Sequence, residues 1–260
     1  MTTVLTTIDN GVATLTLNRP EQGNGINMAL AEDLLAAALA VSADPAARCV
    51  VLTGAGRMFC VGGDIAEFAA AGDGAGAFIQ SLAGKLHEAV LVLAEMAKPL
   101  VCVVNGPAAG AGLSLAAAGD IVLASSEAHF TAAYTAIGLT PDGGMSWLLP
   151  RVIGMRAAQE MLLTNRRVSA VDAQALGLVT RVVAPAELAA DAAAVAGKLA
   201  DAPTAALGTV RWLLREGQTQ GLAAHLALEG QSISKAAAGA EGREGVAAFL
   251  GKRKPAFRPA

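Results

Sequence analysis

The sequence predicts an α/β fold with a helical C-terminal region, and two observations support this prediction. Apolar strand-like runs lie at residues 49–53 and 100–104, and each is followed by a glycine-rich turn and then by helical periodicity. The composition favours helices, because alanine dominates and aromatic residues make up only 3% of the chain. We therefore expect a sheet packed against helices, followed by further helices near the C-terminus.

The N-terminal segment indicates a hairpin followed by a helix. Strand-like runs at residues 4–8 and 12–17 flank Asp9-Asn10-Gly11, which is typical of a tight hairpin turn. A helix with a leucine-rich face should then begin after Asn27, whose side chain suits a helix N-cap, and end at Asp44-Pro45.

The middle of the chain contains the two repeated units and a long helix between them. The expected elements, in order, are a strand at 49–53, a glycine turn at 54–64, a helix at 75–97, a strand at 100–104, a glycine turn at 105–112, and strands at 121–124 and 129–131. This alternation predicts an α/β region and excludes a helical bundle.

The C-terminal third is mostly helical. Ser169 and Asp172 have the spacing of a capping box, and a strand is expected at residues 179–183. We place a domain boundary near Asp201, with a core at residues 1–201 and a helical region at 202–260. The helices of this region are amphipathic with small apolar residues, so they need a partner surface, and we expect an oligomer.

Charge and cysteine content exclude several functional classes. The net charge of -3 provides no basic field, so we expect no nucleic-acid partner. Cys49, Cys60 and Cys102 form no CxxC pair and should be reduced, buried thiols, which favours a cytoplasmic location. We expect neither secretion nor membrane insertion, because no signal-like start and no uncharged apolar run of about 20 residues is found.

Glycine turns after buried strands allow backbone N–H groups to approach a ligand closely. Two such turns could direct two donors at one oxygen, although such turns can also simply connect elements. The turns are not phosphate loops of known type: GxxxxGK[ST] is absent, and residues 110–115 do not complete GxGxxG.

Three segments carry a resemblance to a known family: Asn24–Asn27, Met58–Ile65 and Lys98–Gly112 resemble the enoyl-CoA hydratase/isomerase (crotonase) family in order and spacing. The similarity covers essentially the whole chain. It implies a crotonase-type ββα spiral core at 1–201 and a C-terminal helical oligomerisation region at 202–260, assembled as a homotrimer or a dimer of trimers. It also implies an acyl-CoA substrate from fatty-acid metabolism or aromatic degradation, with coenzyme A as part of the substrate and no other cofactor.

The resemblance assigns the backbone N–H groups of Gly63 and Ala111 to an oxyanion hole that holds the thioester oxygen. It further implies that the CoA groove is lined by Gly63, Asp64, Ile65 and Ala66. Gly25 and Lys252 are expected near the nucleotide end of the CoA.

The chain departs from the family at the two glutamates of typical hydratases, whose positions hold Ser114 and Tyr134. A hydroxyl and a phenol are poor bases near neutral pH, so ordinary hydration is disfavoured. Asp142 falls where the isomerases and dehalogenases of the family carry their acidic residue, and we interpret it as the catalytic acid/base. Its Pro-Asp-Gly-Gly context is also a good β-turn, which is the alternative interpretation.

His87 occupies the position of the catalytic histidine of 4-chlorobenzoyl-CoA dehalogenases, in which Asp142 would be the nucleophile. The aromatic residues of such a pocket are missing, and a helix-surface role for His87 is the alternative. Tyr134 could close the pocket or hydrogen-bond Asp142, and Cys60 is expected to pack rather than react. His129 and His225 lack partners at metal-ligand spacing, so no metal site is predicted.

The pattern is closest to the isomerase members of the family, including those acting on ring 1,2-epoxyphenylacetyl-CoA. We therefore predict an enzyme that shifts a double bond, or isomerises a ring-containing acyl-CoA, through an enolate. The alternatives are a 2-enoyl-CoA hydratase, a hydrolytic dehalogenase-like enzyme, or a CoA-binding paralogue without turnover.

Overall fold

The computed structural model describes residues 2–258. Its strands are β1 (Val4–Asp9), β2 (Val12–Leu17), β3 (Cys49–Gly54), β4 (Leu100–Val104), β5 (Ala108–Ala109), β6 (Ile121–Ser125), β7 (His129–Thr131), β8 (Val168–Ser169) and β9 (Arg181–Val183). Its helices are α1 (Met28–Ala43), α2 (Ile65–Ala70), α3 (Ala75–Glu95), α4 (Ala111–Ala117), α5 (Met145–Ile153), α6 (Met155–Thr164), α7 (Ala170–Ala175), α8 (Leu188–Asp201), α9 (Thr204–Glu216), α10 (Leu222–Ala238) and α11 (Ala240–Leu250).

The strands form two sheets. The larger sheet has the order β1-β2-β3-β4-β6-β9, in which β1 and β2 are antiparallel and all other neighbours are parallel. The smaller sheet has the order β5-β7-β8. Parallel neighbours require crossover connections, and here α1, α3 and α4 provide most of them. The carboxyl ends of β3 and β4 therefore both lead into glycine turns on one side of the molecule.

Local sequence signals act as expected at the hairpin and at two helix starts. Asn10 and Gly11 have φ values of 47° and 78°, as a tight two-residue hairpin turn requires. The Asn27 side chain accepts a hydrogen bond from the Leu30 N–H at 3.0 Å, and the Ser169 hydroxyl accepts one from the Asp172 N–H at 3.1 Å. Both predicted N-caps are confirmed.

The central strands are covered on both faces, which explains their continuous apolar runs. One face of the sheet, with α1, α3 and α4, contributes to the main core. On the other face, α8 packs through alanines spaced four residues apart, Ala192, Ala196 and Ala200, against residues such as Val101 and Leu123. Small side chains at this spacing form one helical stripe and let the helix lie close to the sheet.

The C-terminal helices are attached to the core by charged side chains. Arg211 on α9 donates to the carbonyl oxygens of Leu93 and Met96 at the C-terminal end of α3, and it pairs with Asp120 at 2.7 Å. Arg215 donates to Ala94 O at 3.0 Å. Cations at a helix C-terminus are favourable because they bind carbonyls that lack intrahelical partners.

Several elements end within one or two residues of their predicted limits, among them α3, which ends at Glu95 instead of residue 97, and two differences have a clear cause. Strand β9 begins at Arg181 instead of residue 179, because the N–H groups of Leu178 and Val179 both bond to Ala173 O and close the end of α7. The helical run after residue 203 is divided into α9, α10 and α11, with breaks around Gly217–Gly221 and at Gly239. The predicted boundary at Asp201 falls where α8 ends, and the division into two domains stays a prediction.

Several large apolar side chains on the C-terminal helices remain exposed. Leu214, Leu222, Ile233, Phe249 and Leu250 are each between 69% and 83% exposed. These residues are compatible with the expected oligomer, which stays a prediction.

Within residues 2–258, one helical stretch, Gly72–Glu95, is long and apolar enough to cross a membrane by length and composition alone. A single such helix is weak evidence, since core helices of soluble proteins pass the same test. This one packs its buried residues, Leu82, Leu86, Ala89, Val90 and Leu93, into the main core.

Candidate active site

Two glycine turns face each other at the carboxyl ends of β3 and β4. Gly62 and Gly110 have φ values of 96° and 52°, a region that favours glycine. A Cβ on Gly62 would lie 3.3 Å from Gly110 Cα and 3.4 Å from Ala111 N, and one on Gly110 would lie 3.4 Å from Gly62 Cα. Glycine is therefore required both for the backbone conformation and for the close approach of the two turns.

The turns are held by two isolated β-bridges, one between Ile26 and Gly63 and one between Cys60 and Ala108. The first uses the Ile26 N–H to Gly62 O bond at 2.7 Å and the Asp64 N–H to Ile26 O bond at 2.9 Å. Neither of these bonds involves the Gly63 N–H. Ala111 is the first residue of α4, where N–H groups have no intrahelical acceptor.

Gly63 and Ala111 both line the same pocket. Within residues 2–258, neither N–H has a hydrogen-bond acceptor. Two unpartnered backbone N–H groups beside one cavity are compatible with the predicted oxyanion hole, which stays a prediction.

A buried asparagine, whose role the sequence analysis missed, organises the first turn. The Asn24 amide nitrogen donates to the carbonyl oxygens of Ala55, Met58 and Phe59 at 2.8–3.1 Å, and its Oδ1 accepts from the Arg19 N–H at 2.9 Å. Asn24 is fully buried, so these bonds also satisfy its polar atoms. The side chain fixes the segment that leads from β3 to Gly63.

The pocket has a volume of about 410 Å³ and is mostly apolar, as expected for an acyl group. Beside the oxyanion turns, its wall is formed by side chains of α2 and α3 and of the segment before α5. The wall residues include Phe68, Ile79, Leu82, Ala83, Leu86, Ile137 and Leu139. The contribution of the α2 and α3 residues was not predicted, because helical periodicity shows which residues share a face and not which cavity the face borders.

Asp142 lines this pocket, with its carboxylate and its backbone tied to Ser114 and Tyr134. The Tyr134 hydroxyl donates to Asp142 Oδ1 at 2.7 Å, and the Ser114 hydroxyl donates to Asp142 O at 2.9 Å. The two hydroxyl oxygens lie 3.3 Å apart. Ser114 and Tyr134, at which the chain departs from typical hydratases, therefore both contact Asp142, at which it resembles the isomerases.

Tyr134 remains a hydrogen-bond donor at neutral pH. Burial, followed by the negative charge of Asp142, raises the pKa of Tyr134 well above its usual value. The phenol therefore keeps its proton; the predicted hydrogen bond to Asp142 is observed, and Tyr134 also lines the pocket.

His87 lies beside the Asp142 loop but outside the pocket wall. Its Nε2 accepts a hydrogen bond from the Gly143 N–H at 3.0 Å, so Nε2 carries no proton in this contact. The side chain is exposed on the outer side of α3. The helix-surface interpretation and a contact with the loop are thus both observed.

The residues expected around the CoA are only partly brought together. Ile65 lies on the pocket wall, and Asp64 caps α2 by accepting from the Ala66 N–H at 3.1 Å. Arg19, which the sequence analysis did not select, pairs with Asp64 at 2.9 Å and donates to Gly25 O.

Lys252 lies on the exposed turn after α11. Its backbone N–H donates to Phe249 O at 3.2 Å, and Lys252 is not among the residues that line the pocket. The CoA-binding assignments of Gly25, Gly63, Asp64, Ile65, Ala66, Ala111 and Lys252 stay predictions.

The other histidines have local partners. His129 Nδ1 lies 2.9 Å from Arg167, and burial together with that positive charge lowers the pKa of His129. His225 lies 3.6 Å from Glu229 on the same helix. No cluster of three or more His, Cys, Asp or Glu side chains that could hold a metal ion is found in the described part of the chain.

The three free cysteines are buried, and we expect them not to react in the folded protein. Burial raises the pKa of the Cys49 and Cys60 thiols to about 12 and raises that of Cys102 further, so the nucleophilic thiolate is scarce at neutral pH. A disulfide reagent added to the native protein should label none of the three, and all three after unfolding. Rapid labelling of Cys60 in the native state would contradict its packing role.

The fold and this pocket are those expected of enzymes that hold a carbonyl oxygen between two backbone donors at the ends of neighbouring strands. A solved structure described as a putative enoyl-CoA hydratase/isomerase from Mycobacterium abscessus superposes with a TM-score of 0.94 at 37% identity, covering 99% of this chain and 100% of that chain. The predicted α/β fold of crotonase type is confirmed by this similarity.

Sequence comparison agrees with the fold. A family model described as Enoyl-CoA hydratase/isomerase matches residues 7–259. The chain is 40% identical to 1,2-epoxyphenylacetyl-CoA isomerase of Escherichia coli (strain K12), over 98% of this chain and 97% of that protein. It is 39% identical to a probable enoyl-CoA hydratase of Rhodobacter capsulatus, over 96% and 95%. The chain belongs to the enoyl-CoA hydratase/isomerase family, whose members are acyl-CoA enzymes.

Proposed function

We propose that this protein is an isomerase that shifts a double bond in an unsaturated acyl-CoA, or isomerises a related ring-containing acyl-CoA. The observation that supports the proposal is the position of Asp142, which lines the same pocket as Gly63 and Ala111. When two backbone donors hold the thioester oxygen, a carboxylate in the same pocket can remove a proton from the acidic carbon next to the carbonyl.

In the proposed reaction, the thioester oxygen accepts hydrogen bonds from the N–H groups of Gly63 and Ala111. The Asp142 carboxylate removes a proton from C2 of a 3-enoyl-CoA, and the electron pair of that C–H bond moves into the thioester to form a dienolate. The protonated Asp142 then returns the proton to C4, which yields a 2-enoyl-CoA. One carboxylate is sufficient because the proton is removed and returned by the same group.

Tyr134 and Ser114 support this role by their hydrogen bonds. The phenol binds Asp142 Oδ1, and within residues 2–258 no hydrogen bond is found at Oδ2. We infer that Oδ2 is the oxygen that exchanges the proton with the substrate. Neither Ser114 nor Tyr134 supplies a second carboxylate, which hydration would use to activate water.

The relatives carry both types of name, so the reaction is tested directly. The wild-type enzyme is incubated with a 3-enoyl-CoA, a 2-enoyl-CoA and a ring-epoxide acyl-CoA, and the conjugated thioester is followed by its absorbance. We expect isomerisation of the first or third substrate at a kcat of about 1 s⁻¹ or more, in the usual range for enzymes.

Each other result contradicts the proposal in a different way. Faster hydration of the 2-enoyl-CoA than isomerisation of any substrate would assign a hydratase, in keeping with the name of the Rhodobacter relative. Binding of the CoA esters without turnover would assign a paralogue without activity.

A further inference from the structure

A hydrogen bond to His87 on α3 holds the loop that carries Asp142. The Gly143 N–H donates to His87 Nε2 at 3.0 Å. Gly143 is buried, so its N–H needs an acceptor inside the protein. Within residues 2–258, the His87 ring is the acceptor that the structure gives it.

The loop has a backbone that requires such support. Gly143 and Gly144 have φ values of 60° and 83°. Ordering two consecutive glycines is costly, because each loses much backbone conformational freedom on folding. On its other side, Gly143 packs against Ser114, since a Cβ there would lie 2.9 Å from Ser114 Cβ. The peptide after Asp142 is therefore fixed between α4 and the His87 ring.

The position of His87 indicates an indirect role. Its ring is exposed and absent from the pocket wall, and Nε2 is already engaged with a backbone N–H. The preceding residue, Leu86, does line the pocket, together with Leu82 and Ala83 of the same helix. Helix α3 thus lines the pocket and, through His87, also contacts the loop that carries Asp142.

We propose that His87 is a positioning residue: by accepting the Gly143 N–H, it fixes the Asp142 carboxylate relative to an acyl group packed against α3. This inference rests on the proposed function of Asp142 as the acid/base. A misplacement of a reacting group by about 1 Å can cost about 100-fold in rate, so even a small shift of the loop is measurable.

Two substitutions separate this role from direct proton transfer. Gln places a carbonyl oxygen near the position of Nε2 and cannot act as an acid or base, whereas Leu removes the acceptor. We expect H87Q to keep kcat within about threefold of wild type and H87L to lower kcat about tenfold or more, with KM changed less than about threefold in both. The matched control is E88Q, which alters a neighbouring exposed residue of α3 and should behave as wild type.

A second measurement does not depend on turnover. Hydrogen–deuterium exchange of the peptide containing Gly143 should be at least about tenfold faster in H87L than in wild type, and close to wild type in H87Q. If wild type isomerises no acyl-CoA, the proposed function fails, yet the exchange data still test the contact. Loss of turnover in H87Q with normal exchange would show proton transfer by His87 and overturn the inference, as would unchanged kcat and exchange in H87L.

Discussion

Replacing Asp142 by asparagine is expected to lower kcat for isomerisation by about 10²–10⁴-fold, the usual contribution of a general acid/base. Asparagine has nearly the same shape, and its Oδ1 can still accept the Tyr134 hydroxyl, so the pocket should persist. The amide cannot remove a C2 proton. Because the oxyanion donors remain, the affinity for CoA esters should change less than about threefold.

The two quantities are measured separately. Turnover is followed by the absorbance of the conjugated thioester, and binding by calorimetry with a saturated acyl-CoA that cannot react. The control is D73N, which makes the same chemical change at an exposed position in the turn before α3 and should leave both unchanged. Turnover of D142N within tenfold of wild type would exclude Asp142 as the acid/base and favour its role as a turn residue.

Replacing Gly62 by alanine is expected to lower kcat about 10²–10³-fold, as the loss of one oxyanion donor does in other enzymes. The added Cβ would lie 3.0 Å from Ala109 O and 3.4 Å from Ala111 N, so the two turns must separate. The φ of 96° also strains any residue with a side chain, at a cost of about 1–3 kcal/mol. Activity and stability should therefore both fall.

The matched control for this variant is G84A. Gly84 lies within α3 and is exposed, and an added Cβ there meets nothing within 4 Å. Alanine should raise the free energy of unfolding by about 0.5–1 kcal/mol, because glycine is unfavourable within a helix. Denaturant unfolding gives the stability of both variants, and kcat with a 3-enoyl-CoA gives their activity. Wild-type turnover in G62A would show that the spacing of the turns is unimportant.

The sequence predicted the elements well where local chemistry determines them. The Asn10-Gly11 turn and the caps at Asn27 and Ser169 depend on neighbouring residues alone, and each lies where it was expected. The start of β9 was misplaced because the end of α7 competes for the N–H groups of residues 178 and 179. That competition depends on packing, which a pattern of apolar residues does not describe.

The candidate site was predicted to a similar degree. Gly63, Ala111 and Asp142 were selected by resemblance to the family, and they line one pocket. The ion pair of Arg19 with Asp64 was missed because its partners lie far apart in the chain and neither residue type is unusual. His87 was selected by resemblance to the dehalogenases, but its hydrogen bond from the Gly143 N–H was not predicted, since a backbone partner leaves no trace in the sequence.

The two isolated bridges that hold the oxyanion turns have a consequence for folding. Each joins segments that are distant in sequence, Ile26 with Gly63 and Cys60 with Ala108, and neither belongs to a longer ladder of hydrogen bonds. Bringing these distant segments together costs chain entropy, which local contacts do not offset. A chain that has formed only its hairpin and helices thus lacks the paired turns of the predicted oxyanion hole. Turnover recovered during refolding should therefore report these long-range pairings rather than the return of secondary structure.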